Sequence, residues 1–418
     1  MTGPRVHIIG AGVAGLSTAV NLAKGGRRVH LYEAAGHAGG RCRSFDDASL
    51  GCRIDNGNHL LLSGNRAALG YLKDIGAEDS LTGPETAEFP FLDLQTNERW
   101  SVTLDAGFLL RGLFSKAGRV PGSRPADYLL PFRLAWAGEK ATVSECLGPD
   151  NALFRRFWEP IAVAVLNTSA EEGAASLLLP VIWETLGRGA AACRPLMARE
   201  GLSESFIDPA LRFLRGEGFE IEMNQRLRAL HMDGRRVTAL DFGAKQVALG
   251  ADDAVVLAVP PPAAASLVPG LETPNESRAI VNGHFRIEPE VREFSFLGLV
   301  GGISQWLFVR RGVASVTVSA ANDLAEDDSE SIAIRMWKEV ALALDLGQRP
   351  LPNHRIVKEK RATFAQTPEQ LKRRRTAATD WRNLFLAGDW TDTGLPATIE
   401  GSIRSGRKAS EKVLLSSS

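Results

Sequence analysis

Cysteine is scarce in this chain: four in 418 residues, Cys42, Cys52, Cys146 and Cys193, with no CxxC pair and no clustered histidines beside them. Such spacing offers no zinc or iron–sulfur site, so no metal is expected. In a reducing cytosol the four are most simply free thiols. An excess of charge is missing too. Lys+Arg 49 balance Asp+Glu 49, which gives no general attraction to nucleic acid. No stretch reaches the roughly 18 uninterrupted apolar residues of a spanning helix. The first residues run straight into a strand without a charged leader and apolar stretch, so no signal peptide is read and a cytoplasmic location is expected. At 418 residues the chain exceeds one ordinary domain and suggests two.

Glycine is plentiful, with 41 residues, and some of it stands where no other residue would serve. Val6-His7-Ile8-Ile9-Gly10-Ala11-Gly12-Val13-Ala14-Gly15-Leu16 reads as strand, turn and helix. Gly10 permits the tight turn, Gly12 lets backbone approach a pyrophosphate, and Gly15 allows close helix–strand packing. The helix start, with Ala11, Val13 and Ala14 in the loop, offers N–H groups and partial positive charge to the diphosphate. A second strand, 28–32, ends in Glu33-Ala34. An acid there accepts from ribose hydroxyls and disfavours a 2′-phosphate, so NADP is not expected. Gly39-Gly40-Arg41 follows, a glycine pair for another close approach and an arginine for phosphate or carboxylate.

The far end carries a second half-site. Leu384-Phe385-Leu386-Ala387 is a buried-strand pattern stopping at Gly388-Asp389, and ligands of parallel sheets sit at the carboxyl ends of strands. Asp389 is placed to accept from ribityl hydroxyls. Pro396-Ala397-Thr398-Ile399 lead into a helix whose first N–H groups can meet the pyrimidine edge of a flavin. A cofactor gripped from both ends of the chain must be long, and the middle must be inserted between the halves. That points to FAD, held without a covalent bond; an ordinary NAD dehydrogenase would leave the second half-site unexplained.

These motifs, with the mid-chain strand Val255-Val256-Leu257-Ala258-Val259-Pro260-Pro261, resemble in order and over the whole chain the flavin amine oxidase and phytoene desaturase superfamily. Three further segments narrow the resemblance: Asp55-Asn56-Gly57-Asn58-His59, Phe157-Trp158-Glu159-Pro160 with Leu166-Asn167-Thr168, and Trp390-Thr391-Asp392-Thr393-Gly394-Leu395-Pro396. They are similar to bacterial squalene-associated FAD enzymes, understood as hydroxysqualene dehydroxylases of hopanoid biosynthesis. The resemblance implies an α/β fold, a Rossmann-like FAD domain of the glutathione-reductase type interleaved with an α+β substrate domain. It implies a backbone contact from Leu227 to the adenine, and Gly57, Asn58 and His59 near the flavin ring. Reduced FAD would supply hydride to a hydrophobic triterpene as an allylic hydroxyl leaves, an oxidoreductase reaction on a CH or CH2 group.

Alternatives stay open. A carotenoid or phytoene-type polyene desaturase uses the same parts. Amine oxidases of the superfamily place a tyrosine just before the Ile399-Glu400-Gly401 equivalent; here Thr398 stands there, and the tyrosines are Tyr32, Tyr71 and Tyr128. Prenyl-lipid carriers related to Rab escort proteins form another class, but their flavin contacts have decayed, whereas this chain keeps Glu33 and both glycine loops. For the substrate pocket, Trp306, Leu307, Phe308, Trp390, Leu395 and Pro396 offer apolar lining, since buried unpaired polar groups would cost about 1–3 kcal/mol each. His59 is the candidate acid for a departing hydroxyl, with hydrogen bonding alone as the other reading and Asp392 or water as the next donor. His284 and His354 read as structural.

The expected organisation is interleaved: residues 1–76, 201–265 and 380–418 form the FAD domain, 77–200 a mainly helical substrate- or membrane-facing part, and 266–379 a substrate domain with an antiparallel sheet. Residues 105–137 mix Phe108, Leu109, Leu110, Leu113, Phe114, Leu129, Leu130, Phe132, Leu134 and Trp136 with Arg111, Lys116, Arg119, Arg124 and Arg133. Apolar groups among cations suit a peripheral contact with the cytoplasmic membrane; a helical subdomain with one buried face is the other reading. The Lys372-Arg373-Arg374-Arg375 run reads as a solvated face. Oligomeric state is not legible.

Overall fold

The computed structural model describes residues 4–105, 107–288 and 294–416. Its first sheet has five parallel strands in the order Glu220–Glu222, Arg28–Tyr32, Arg5–Ile9, Ala254–Leu257 and Leu384–Leu386. Parallel strands covered on both faces run apolar, as Ala254–Leu257 and Leu384–Leu386 do, whereas the edge strand Glu220–Glu222 does not. Val6, Ile8 and Val256 face helices, whereas Ile9, Val255, Leu257, Leu384 and Leu386 face a small three-stranded meander. Three separate stretches of chain therefore build one sheet.

The helices Val13–Lys24 and Ile399–Ser416 pack at backbone contact. A Cβ on Gly406 would lie 2.4 Å from the Ala14 carbonyl oxygen, and Ser17 Oγ donates to the Ile403 carbonyl at 3.0 Å. This contact joins the two ends of the chain on one face of the sheet.

The second sheet has seven strands: His354–Phe364, Ser277–Arg286, Val313–Val318, Trp306–Arg310, Phe294–Val300, Glu88–Asp93 and Arg99–Thr103. Two of these come from the stretch expected to be mainly helical. Phe89 and Phe91 alternate with Glu88 and Pro90, a strand period that Pro90 conceals. Pro90 is tolerated because the parallel pairing with the neighbouring strand begins only at Phe91. Behind the sheet, Val281, Phe285, Leu307, Val309 and Val316 pack on Ile332, Met336 and Val340 of the helix Ser329–Ala343. Leu307 thus points away from the front. On the front, register aligns Trp306, Thr317 and Asn282 in one row and Phe308, Ser315 and His284 in the next. Helices around Phe108, Tyr128, Phe157 and Trp158 continue this core. No helix among the described residues is long and apolar enough to cross a membrane.

Candidate functional site

The N-terminal half-site rests on steric demands that only glycine meets. Gly10 has φ +106°, and a Cβ there would lie 2.4 Å from the Ala258 carbonyl oxygen. A Cβ on Gly15 would lie 1.9 Å from the Gly10 carbonyl oxygen. Gly12 differs: nothing lies within 4 Å of where its Cβ would be, and it pairs along the backbone with Gly39. Gly40 and Arg41 beside it are exposed. This is a cradle of bare backbone at the carboxyl end of the sheet, and a diphosphate fits it. The Glu33 carboxylate accepts from the Ala11 and Ala35 N–H groups, both at 2.8 Å, so it also braces the glycine loop. Asn224 and Gln225 donate backbone N–H groups to the Ala35 and Glu33 carbonyls, and buried Leu227 shares a core with Ile9 and Tyr32.

The C-terminal half-site meets the first through an ion pair. Arg41 binds the Asp389 carboxylate at 2.8 Å and also donates to the Ala362 carbonyl. Gly388 donates its N–H to Ser405 Oγ at 2.9 Å. Thr398 Oγ1 accepts from the Gly401 N–H at 3.1 Å, capping the helix Ile399–Ser416. Buried Gln366 accepts from the Ala397 N–H at 2.8 Å and is tied to Leu166 and Thr168, while Asn167 bonds the Thr363 hydroxyl at 3.0 Å. The Leu166-Asn167-Thr168 segment is therefore a brace between the cofactor loop and the second sheet.

Arg374 is the main correction to the basic run. It is buried, stacks over Phe364 at 5.4 Å, and donates to the carbonyls of Asp389, Trp390, Thr391 and Leu395. One guanidinium thus folds the loop that presents Asp389.

The turn Asn56-Gly57-Asn58-His59 docks on the front of the second sheet. Asn282 Nδ2 donates to the Asn56 carbonyl at 3.2 Å, and Asn58 Nδ2 to Thr317 Oγ1 at 3.1 Å. A Cβ on Gly57 would lie 3.1 Å from Asn282 Nδ2. His59 is partly exposed to a cavity it shares with Asn58, Phe308 and His284. Burial lowers the His59 pKa; Asp55 raises it and Arg41 lowers it further. The imidazole therefore lines that cavity within electrostatic reach of Asp55 and Arg41. Burial pushes the Cys42 thiol well above its ordinary range, which makes it a poor covalent anchor for flavin.

The flavin-containing amine oxidoreductase family matches residues 13–287 and 310–414. The chain belongs to that family. It is an FAD-binding oxidoreductase with the fold expected of one. The hydroxysqualene dehydroxylase of Sinorhizobium fredii is 47% identical over 409 residues, 98% of each chain. That of Rhodopseudomonas palustris is 48% identical over 410 residues, again 98% of each. A zeta-carotene desaturase of Synechocystis is 22% identical over 98% of this chain and 97% of its own. A solved oxidoreductase from Methanosarcina mazei superposes with a TM-score of 0.73 over 97% of this chain and all of the other, at 15% identity, a likeness of fold alone.

The apolar residues read as one pocket wall divide between two cores. Trp306 and Phe308 pack with Phe91 and Phe296 at the second sheet. Trp390 packs against the first sheet and donates its indole N–H to the Val259 carbonyl at 2.9 Å; Leu395 and Pro396 are buried in the same loop. Of the six residues expected to line the pocket, Phe308 lines the cavity beside His59. Asp392 is exposed, its carboxylate turned back to the Gly394 N–H at 3.1 Å, a poor position for an acid of the site. Sequence reading passes over Arg374, Gln366 and Ser405. Arg374 looks like its solvated neighbours, and a buried glutamine or serine has no local signature.

Proposed function

We propose that this enzyme is an FAD-dependent hydroxysqualene dehydroxylase that reduces hydroxysqualene to squalene in hopanoid biosynthesis. The end-to-end likeness to the two dehydroxylases carries the reading, and the much weaker likeness to the desaturase ranks polyene desaturation below it. FAD, bound and reduced, supplies the hydride that replaces the hydroxyl. Gly10, Gly12, Gly15, Glu33 and Arg41 would hold its nucleotide half, and Asp389 with the Thr398 helix its flavin half. Asn58 orients the turn that carries His59, and His59 holds the proton that leaves with the hydroxyl. The aromatic front of the second sheet excludes water from a reacting hydrocarbon. Reduced protein incubated with hydroxysqualene should yield one squalene per flavin oxidised. Oxidised protein reduced by a polyene, with no squalene formed in the first experiment, would turn the assignment to desaturation.

We also propose that the enzyme works at the surface of an anionic membrane. Leu110, Phe114, Leu129, Phe132 and Trp136 are 59%, 79%, 51%, 54% and 81% exposed. Exposed Lys116, Arg124 and Arg133 lie among them in sequence. Leu109, by contrast, packs inward on the helical core. Each large side chain entering acyl chains contributes about 1.5–3 kcal/mol, and the cations suit anionic head groups. A water-insoluble substrate supplies the reason for such a surface. The protein should co-sediment with vesicles containing phosphatidylglycerol. Replacing Leu110, Phe114, Phe132 and Trp136 with Ser should weaken this at least about tenfold at unchanged flavin content. Undiminished binding by that variant, or none by the wild type, overturns the membrane contact.

A further inference from the structure

A cavity of about 140 Å³ runs inward between the strands Cys52–Asp55 and Pro195–Ala198 and the front of the second sheet. Its rim is charged and exposed, with Glu200 paired to Arg311. At depth, Asp55 and Arg310 neutralise each other at 3.0 Å. His284 lines the cavity and is 1% exposed; its Nδ1 bonds Ser315 Oγ at 2.8 Å. The Nε2 of the same ring is buried and has no hydrogen-bond partner. Burial pushes the His284 pKa down to about 4, so the ring is neutral at physiological pH and can donate or accept at Nε2 according to tautomer. An orphaned buried nitrogen costs stability unless something supplies its partner.

A charged rim is a poor entrance for a hydrocarbon, and on the membrane reading above the apolar surface around Phe114 and Trp136 would be its approach. The dehydroxylation still needs one polar place. Replacing the hydroxyl by hydrogen breaks a C–O bond and forms a C–H bond with a hydride that reduced flavin would supply; a proton joins the oxygen, so one water must leave in each turnover. His59 lines the same cavity, under the influence of Asp55 and of Arg41. We propose that this cavity is the oxygen port of the site: it receives the hydroxyl of the hydroxylated triterpene at His284 Nε2 and releases it to solvent as water.

The port rests on the dehydroxylase reading for the identity of its ligand. Binding of hydroxysqualene and of squalene to the oxidised holoenzyme, read from perturbation of flavin absorption, tests it without turnover. The wild type should bind the alcohol about tenfold to a hundredfold more tightly than the hydrocarbon. His284→Leu should lose that preference while its affinity for squalene and its flavin content stay unchanged. Ser315→Ala, which frees the ring but keeps the imidazole, should narrow the preference less, and it decides the matter if His284→Leu fails to fold. Equal binding of both ligands by the wild type overturns the port. So does an undiminished preference, or an equal loss of both ligands, in a variant that retains flavin. Selective binding of hydroxysqualene without its reduction would count against the dehydroxylase reading and leave the port standing.

Discussion

Arg374→Met should purify with little flavin and unfold well below the wild type. The guanidinium is donor to four main-chain carbonyls between Asp389 and Leu395, and methionine fills its volume without supplying any donor. Buried carbonyls left unpaired cost about 1–3 kcal/mol each, and water entering the loop will recover part of that. A net loss of about 3 kcal/mol or more is expected. Flavin binding should suffer beyond the loss of stability, because the same loop presents Asp389 to Arg41. Arg374→Lys should fall between, since an ammonium cannot fork to four acceptors. Visible flavin absorbance and thermal unfolding, each with and without added FAD, measure both effects. A methionine variant with full flavin content and an unchanged melting temperature would show that the loop holds its shape by other means.

That arginine also marks where sequence reading stops. Gly10, Gly15 and Glu33 are legible because each local conformation demands its residue type within one strand–turn–helix–strand unit. Lys372, Arg373, Arg374 and Arg375 are chemically alike, and only the tertiary fold decides that Arg374 turns inward. The second sheet poses a similar problem. Asn282 and His284 alternate with Val281, Gly283 and Phe285, so the strand period is plain. Both faces are buried, however, and the pattern alone does not say that one meets a helix and the other lines the site. Trp306 and Trp390 are equally apolar as letters, yet the second is fixed to the Val259 carbonyl in a different core. The cofactor half-sites are thus read from local rules. The pocket depends on which faces of distant strands meet, which no short window of sequence holds.

His59→Ala should slow single-turnover oxidation of the reduced flavin by hydroxysqualene by about 10²–10⁴-fold, the usual worth of a positioned proton donor. Ligand affinity should change little, because burial of hydrocarbon elsewhere governs it. The pH dependence carries the sign of the mechanism. A proton donor works only while protonated, so the rate should fall as pH rises through its pKa. Burial holds the His59 pKa below the ordinary histidine value, and Arg41 opposes the raising effect of Asp55. The inflection is therefore expected on the acid side of about 6.5, below neutrality, and it should vanish in the alanine variant. His59→Gln separates the two roles open to the residue. Glutamine can still hydrogen-bond flavin or backbone but cannot titrate. If it restores a near-normal rate and the acid-side inflection persists, His59 only positions the turn, and the proton comes through water in the adjoining cavity. If both variants are slow and the inflection is gone from both, the imidazole itself delivers the proton.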